Sequence, residues 1–240
     1  MSIEKLKNII EKSNNIVFFG GAGVSTESNI PDFRSSSGIY STESSLKYSP
    51  ETILSHSFFE RHTNDFYDFY RAKMIYKEAK PNDAHIALAE LESRGKIKAI
   101  VTQNIDGLHQ IAGSKNVLEL HGSIYRNYCT ECNKFFDLDY ILESNNTPKC
   151  DECDGIVKPD VVLYEESLDM KVLDKALKHI QEADVLIVGG TSLTVYPAAS
   201  LVEYYRGDKL ILINKSQTQY DRRATLTFNE SIGQVLKQVI

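Results

Sequence analysis

No apolar run in this 240-residue chain approaches the roughly 20 residues that cross a bilayer. The longest, around 185–188 and Leu210–Ile213, are strand-length, so no membrane partner is expected. Met1 to Asn15 is charged and polar and lacks an apolar core ahead of a cleavage site. No secretory leader is read there, and a cytoplasmic protein is the expectation. Positive charge is short as well. Lys and Arg total 27 against 33 Asp and Glu, a net charge of −6. A chain built to grip phosphate backbones shows a basic stripe, so no nucleic-acid partner is expected. There is no repeat and no low-complexity segment; Ser35-Ser36-Ser37 and Ser44-Ser45 mark only a mobile loop.

Cysteine is scarce, and the few present are placed with purpose. They stand as Cys129-x2-Cys132-x17-Cys150-x2-Cys153. A pair two apart presents both thiolates to one ion, and two such knuckles about 15–20 residues apart read as a four-thiolate zinc site. Such a site is closed, with no open position for water or substrate. It holds a fold together, and the function must lie elsewhere.

With 42% hydrophobic residues the chain can bury a sizeable core. Segments 16–19, 99–102, 117–120, 185–188 and Leu210–Ile213 read as strands buried on both faces. Segments 84–94, 168–182 and 197–205 have helical spacing. This alternation predicts an α/β fold, a Rossmann-like parallel sheet with helices on both faces. Two stretches interrupt it and form a small domain: a loop and helical insertion at 35–80, and the zinc-ribbon insertion at 122–156. Segments 1–34, 81–121 and 157–240 form the larger domain.

Small and polar residues gather where the strands end. Gly20-Gly21-Ala22-Gly23-Val24-Ser25-Thr26 follows the first strand. Its glycines allow close backbone approach to a pyrophosphate, and a following helix would offer free N–H groups. The third glycine of the dinucleotide fingerprint is absent, so a plain tight turn stays open. Thr102-Gln103-Asn104-Ile105-Asp106 follows a second strand, Gly189-Gly190-Thr191-Ser192 another, and Asn214 ends a fourth. One ligand across the carboxyl edge of the sheet would use them all. An Asx turn capping a helix is the competing reading of 104–106. His121 also ends a strand, next to Gly122; it is either structural or a general base.

In order and spacing these pieces resemble the sirtuin family of NAD-dependent protein deacylases. The likeness runs through Gly21-Ala22-Gly23-Val24-Ser25, Ile30-Pro31-Asp32-Phe33-Arg34, Thr102-Gln103-Asn104-Ile105-Asp106, His121-Gly122 and the four cysteines. It continues through Lys158-Pro159-Asp160-Val161-Val162, Gly190-Thr191-Ser192-Leu193 and Ile213-Asn214. The resemblance implies NAD as co-substrate and one structural Zn2+ on Cys129, Cys132, Cys150 and Cys153. It implies that Ala22 and Thr26 line the NAD loop and that Phe33 and Arg34 close over the nicotinamide ribose. Gln103, Asn104, Ile105 and Asp106 would hold ribose and nicotinamide, with Asn104 and His121 catalytic. Thr191, Ser192, Asn214 and Ile232 would bind the adenosine half. Val161 and Val162 would pair with an acetyl-lysine-bearing protein segment as an extended strand. The products would be nicotinamide, lysine and O-acetyl-ADP-ribose, with His121 as general base on a ribose hydroxyl.

The chain departs from the family pattern at Gly20, usually threonine, at Asn29, usually glycine, and at Glu165, where glycine follows an aromatic residue. The branch that removes acidic acyl groups carries Tyr-x-x-Arg; here Tyr67-Asp68-Phe69-Tyr70 lacks that arginine, and Arg71 is about 100° further round the helix. The implied activity is NAD-dependent lysine deacetylation. Mono-ADP-ribosyl transfer from the same site is one alternative, and a zinc-ribbon binding module is another.

Overall fold

The computed structural model describes residues 2–35, 38–42 and 47–240. Ser36, Ser37, Ser44 and Ser45 of the expected loop lie outside them. Along the chain, α1 (Ser2–Lys12) precedes β1 (Ile16–Gly20). Then come α2 (Ile39–Thr42), α3 (Pro50–Ile53), α4 (His56–Arg61) and α5 (Thr63–Lys73). Next are α6 (Asp83–Ser93), β2 (Ile97–Thr102), α7 (Leu108–Ile111) and β3 (Val117–Glu119). The cysteine-bearing stretch has β4 (Gly122–Cys129), β5 (Phe135–Phe136), α8 (Leu138–Glu143) and β6 (Val157–Val161). After it come α9 (Met170–Glu182), β7 (Val185–Gly189), β8 (Leu210–Ile213), β9 (Leu226–Phe228) and α10 (Ile232–Leu236).

Six strands form one sheet in the order β3-β2-β1-β7-β8-β9, every neighbour parallel. The apolar runs explain it, since a strand apolar on both faces needs cover on both. Ile16 and Phe18 of β1 enter one core, and Val17 and Phe19 the other, as a side-chain period of two requires. Leu6 and Ile10 of α1, Leu88 and Leu91 of α6, and Val235 and Leu236 of α10 complete the first core. Ala176 and Ile180 of α9, with Leu201 and Val202, complete the second. Each such Val, Leu, Ile or Phe side chain contributes about 1.5–3 kcal/mol on burial. At the start of α6 the Asn82 side chain accepts from the Ala84 N–H, and His85 Nδ1 accepts from the Asn82 N–H.

Segment 197–205, expected to be an α-helix, is a 3-10 helix at Ala198–Tyr204. Its i, i+3 pairs Ala198–Leu201 and Ala199–Val202 stack on the sheet, a spacing the tighter winding eclipses. The register aligns the strand ends along one edge. Gly20 lies opposite Thr102 and Gly189, Thr102 opposite Glu119, Gly189 opposite Ile213, and Ile213 opposite Phe228.

A second, antiparallel sheet has the order β5-β4-β6. Its edge strand β6 comes from the 157–240 stretch that the sequence reading gave to the larger domain. Phe66, Tyr67 and Tyr70 of α5 share a core with Ile124 of β4 and Val157 of β6.

Candidate active site

Loops leaving the aligned strand ends, together with segments around Phe33 and Val162, enclose a cavity of about 700 Å³. This is the size range of small-molecule and cofactor sites, about 300–1,000 Å³. Ala22, Thr26, Phe33, Arg34, Gln103, Asn104, Ile105, Asp106, His121, Val161, Val162, Thr191, Ser192, Asn214 and Ile232 all line it. The structure thus gathers into one cleft the fifteen residues that the resemblance implies for cofactor, catalysis and peptide.

The glycine loop does not run into an α-helix as expected. It winds through two 3-10 turns, Ala22–Val24 and Thr26–Ser28. Main chain from the neighbouring loop is the reason. The Gly23 N–H donates to the Gly190 carbonyl at 2.8 Å, and the Gly21 N–H to the Gly189 carbonyl at 3.3 Å. A Cβ on Gly23 would stand 2.8 Å from Gly190 Cα, and one on Gly21 2.8 Å from Thr191 Cβ. The glycines are therefore needed for loop to meet loop. Asn29 ends the second turn at φ +62°, the left-handed conformation that glycine takes freely and Asn tolerates best among the rest.

Side-chain amides and hydroxyls then link the strand ends. Gln103 Nε2 donates to Thr191 Oγ1 at 3.1 Å, and Asn214 Oδ1 accepts from the Thr191 N–H at 2.9 Å. Among the described residues the buried Asn214 Nδ2 donor has no hydrogen-bond partner, a hydrogen bond left over for a ligand in the cleft. Asn104 Nδ2 donates to Ser25 Oγ at 3.0 Å, and Ser25 Oγ donates to Asp106 Oδ2 at 2.6 Å. Asp106 Oδ1 accepts the Leu108 N–H at 3.0 Å, so the Asx turn is real as well. Burial raises the Asp106 pKa, partly offset by the bonds from Ser25 and Leu108. Ser25 is the hub of this chain of contacts. It was seen only as part of a motif, because its partners lie far along the sequence and meet only in the fold.

His121 Nδ1 lies 3.0 Å from the Gln103 carbonyl oxygen. A carbonyl only accepts, so Nδ1 carries the hydrogen and Nε2 the free lone pair. Burial lowers the His121 pKa, with the Gln103 bond opposing. The ring is neutral near pH 7 and can take a proton through Nε2. Beside it, the Val162 N–H donates to the His121 carbonyl at 3.0 Å, while among the described residues the outer edge of β6 has no neighbouring strand.

The four cysteine Sγ atoms lie within 4.8 Å of one another, away from the cleft. Cys129–Cys153 is 3.4 Å and Cys132–Cys150 3.6 Å. Tetrahedral Zn–S bonds of about 2.3 Å need sulfur separations of about 3.8 Å, so the cluster fits the ion. Tyr67, Tyr70 and Arg71 do not line the cleft, whereas Met74, one turn beyond Tyr70, does. Arg71 donates to the carbonyls of Ile141 and Asn146.

Residues 21–197 match the Sir2 family model. The chain is 66% identical to an NAD-dependent protein deacetylase of Clostridium tetani over 99% of this chain and 96% of that protein. It is 65% identical to one of Clostridium acetobutylicum, over 99% and 98%. Among solved structures, a Sir2 complex with deacetylated p53 peptide and 3′-O-acetyl ADP ribose superimposes with a TM-score of 0.91. Its identity is 39%, over 100% of this chain and 97% of that one. A Sir2–p53 peptide–NAD+ complex gives a TM-score of 0.87 at 38% identity, with the same coverage.

Proposed function

The chain belongs to the Sir2 family, and from that premise we infer that it is an NAD-dependent protein-lysine deacetylase. It releases nicotinamide and forms O-acetyl-ADP-ribose. NAD supplies the ADP-ribose that accepts the acetyl group. The zinc held by Cys129, Cys132, Cys150 and Cys153 is structural and supplies no step. The observation that carries the reading is the gathering of the cleft residues around a histidine whose free nitrogen is set by Gln103.

The roles proposed for individual residues are those that the family resemblance implies. His121 takes the proton of a ribose hydroxyl through Nε2. Asn104, held by Ser25, and Asp106 orient the nicotinamide ribose and carboxamide, with Ile105 against the ring. Phe33 and Arg34 cover that ribose, while Ala22 and Thr26 face the phosphates. Gln103 joins Asn104 and Asp106 at that ribose, while Thr191, Ser192, Asn214 and Ile232 receive the adenosine half, the Asn214 amide donating to it. The substrate protein lies as an extended strand along Val161 and Val162, on the open edge of β6. The cytoplasm suits it, since four clustered thiols persist for zinc where the environment is reducing.

Mass spectrometry of an acetyl-lysine peptide, with and without NAD, tests the reading. Peptide deacetylation and O-acetyl-ADP-ribose are expected only with NAD. ADP-ribose retained on protein would indicate mono-ADP-ribosyl transfer instead. His121→Ala should lower the rate on the order of 10²–10⁴-fold with unchanged thermal unfolding; a rate within threefold of wild type would remove His121 from the mechanism.

A further inference from the structure

Segment 163–166 continues from β6 along the wall of the cleft, and it is held from behind by α4 and its approach. The Tyr164 N–H donates to the Leu54 carbonyl at 3.0 Å, and the His56 N–H donates to the Tyr164 carbonyl at 2.9 Å. Glu166 joins His56 Nδ1 at 2.8 Å and Lys158 Nζ at 3.1 Å, and also accepts the Leu163 N–H at 2.9 Å. Between these contacts stands Glu165, where the family pattern has glycine. Its backbone lies at φ +75°, a conformation that a β-carbon resists. Its carboxylate reaches Ser57: Oε2 accepts the Ser57 N–H at 2.9 Å and Oε1 the Ser57 hydroxyl at 3.1 Å. An acidic side chain thus sits in a left-handed turn suited to glycine, with both of its oxygens bonded to α4.

We propose that Glu165 is a positioning residue for the acyl-lysine peptide, tying the peptide-bearing edge to α4 through Ser57. The physical reason is order. A strand that receives a peptide by β-augmentation must be fixed before or during binding, and fixing it during binding weakens affinity. Glycine at this position leaves the turn free to move. Glu165 gives up that freedom and adds two hydrogen bonds to hold the turn. Lining the cleft as it does, the residue acts on the peptide side, while the NAD residues stand on loops of the larger sheet. This inference rests on the deacetylase reading for the identity of the peptide, but its test reads binding as well as turnover.

The test uses the full-length protein with a fluorescent acetyl-lysine peptide, followed by anisotropy, and with steady-state kinetics for both substrates. Glu165→Ala should weaken peptide binding and raise peptide KM by about tenfold, the scale of ordering one backbone residue. The KM for NAD and the saturated kcat should stay within twofold. Glu165→Gln, whose amide oxygen still accepts from Ser57, should return peptide KM to within threefold of wild type. Glu165→Gly should weaken peptide binding as Ala does without lowering Tm, which separates the tether from general instability. Equal peptide affinity in wild type, Glu165→Ala and Glu165→Gly overturns the proposal. So does a loss confined to peptides with lysine or arginine beside the acyl-lysine and not rescued by Gln, since Glu165 would then be a direct substrate contact. Wild-type binding without deacetylation would defeat the deacetylase reading alone. Absence of wild-type peptide binding would defeat both.

Discussion

Mild acid should loosen this fold through two histidines beneath the sheet edge. His85 of α6 and His109 of α7 are buried with ring centroids 4.8 Å apart, and the Phe18 ring lies 6.1 Å from His109. Among the described residues, neither nitrogen of His109 has a hydrogen-bond partner, nor has Nε2 of His85. Burial pushes His85 from its ordinary 6.5 down to about 4. His109 is pushed down too, by burial first and then by His85. A lowered folded pKa means that the unfolded chain takes the proton first. Stability is therefore complete above pH 6.5 and falls as the pH drops from there towards 4. For His85 alone the loss is about 2 kcal/mol at pH 5 and about 3 kcal/mol once both states are protonated. Urea unfolding at pH 7 and pH 5 measures it. His85→Gln is the informative variant, because Gln can serve the same capping position at the start of α6. Its stability should fall less over this range, by about 2 kcal/mol. Acid loss of zinc affects both proteins alike and cancels in the comparison. Parallel pH profiles would refute the reasoning, since His85 would then titrate in the folded protein as it does in the unfolded chain.

Three further outcomes are expected. Metal analysis should find one zinc per chain, and a chelator or Cys150→Ala should unfold the β5-β4-β6 sheet and stop turnover, because structural zinc is worth about 10–16 kcal/mol in finger peptides; a native protein without metal would end that account. Acetyl-lysine should outrun succinyl-lysine at least tenfold in kcat/KM, since Arg71 is committed to two carbonyls and Tyr70 is fully buried; about equal values, with succinyl activity lost in Arg71→Ala, would show the arginine turning inward. Asn29→Gly should be neutral or stabilising within about 0.5 kcal/mol and Asn29→Ala destabilising by about 1 kcal/mol, as the φ of +62° demands; thermal melts of equal midpoint would contradict the assigned backbone.

The parts of the fold legible in the sequence were those with a local signal. The five apolar runs became five strands of the parallel sheet, because continuous burial leaves its mark residue by residue. β9 was missed, since the three residues of Leu226–Phe228 carry no period. α1 was missed because its buried positions, Leu6 and Ile10, are diluted by surface charge. The allegiance of β6 depends on pairing with β4, a long-range fact that spacing does not encode. The site divides the same way. Its residues could be named from motif order. Ser25 bridging Asn104 and Asp106 could not, nor could the His121 tautomer, because one needs distant partners and the other a main-chain oxygen.

The contact between Gly23 and Gly190 constrains how this chain can vary. A Cβ on Gly190 would lie 2.4 Å from the Val24 nitrogen, and one on Gly23 2.8 Å from Gly190 Cα. Neither position can gain a side chain without moving the other loop, so the two form one heritable unit split across the sequence. Single substitutions at these two glycines cannot reshape the floor of the cleft by small steps. Ser192, Lys215 and Glu230 also line the cleft, but are exposed and already carry side chains there. Grafting a foreign first loop onto this scaffold requires its matching second loop, although more than 160 residues separate Gly23 from Gly190.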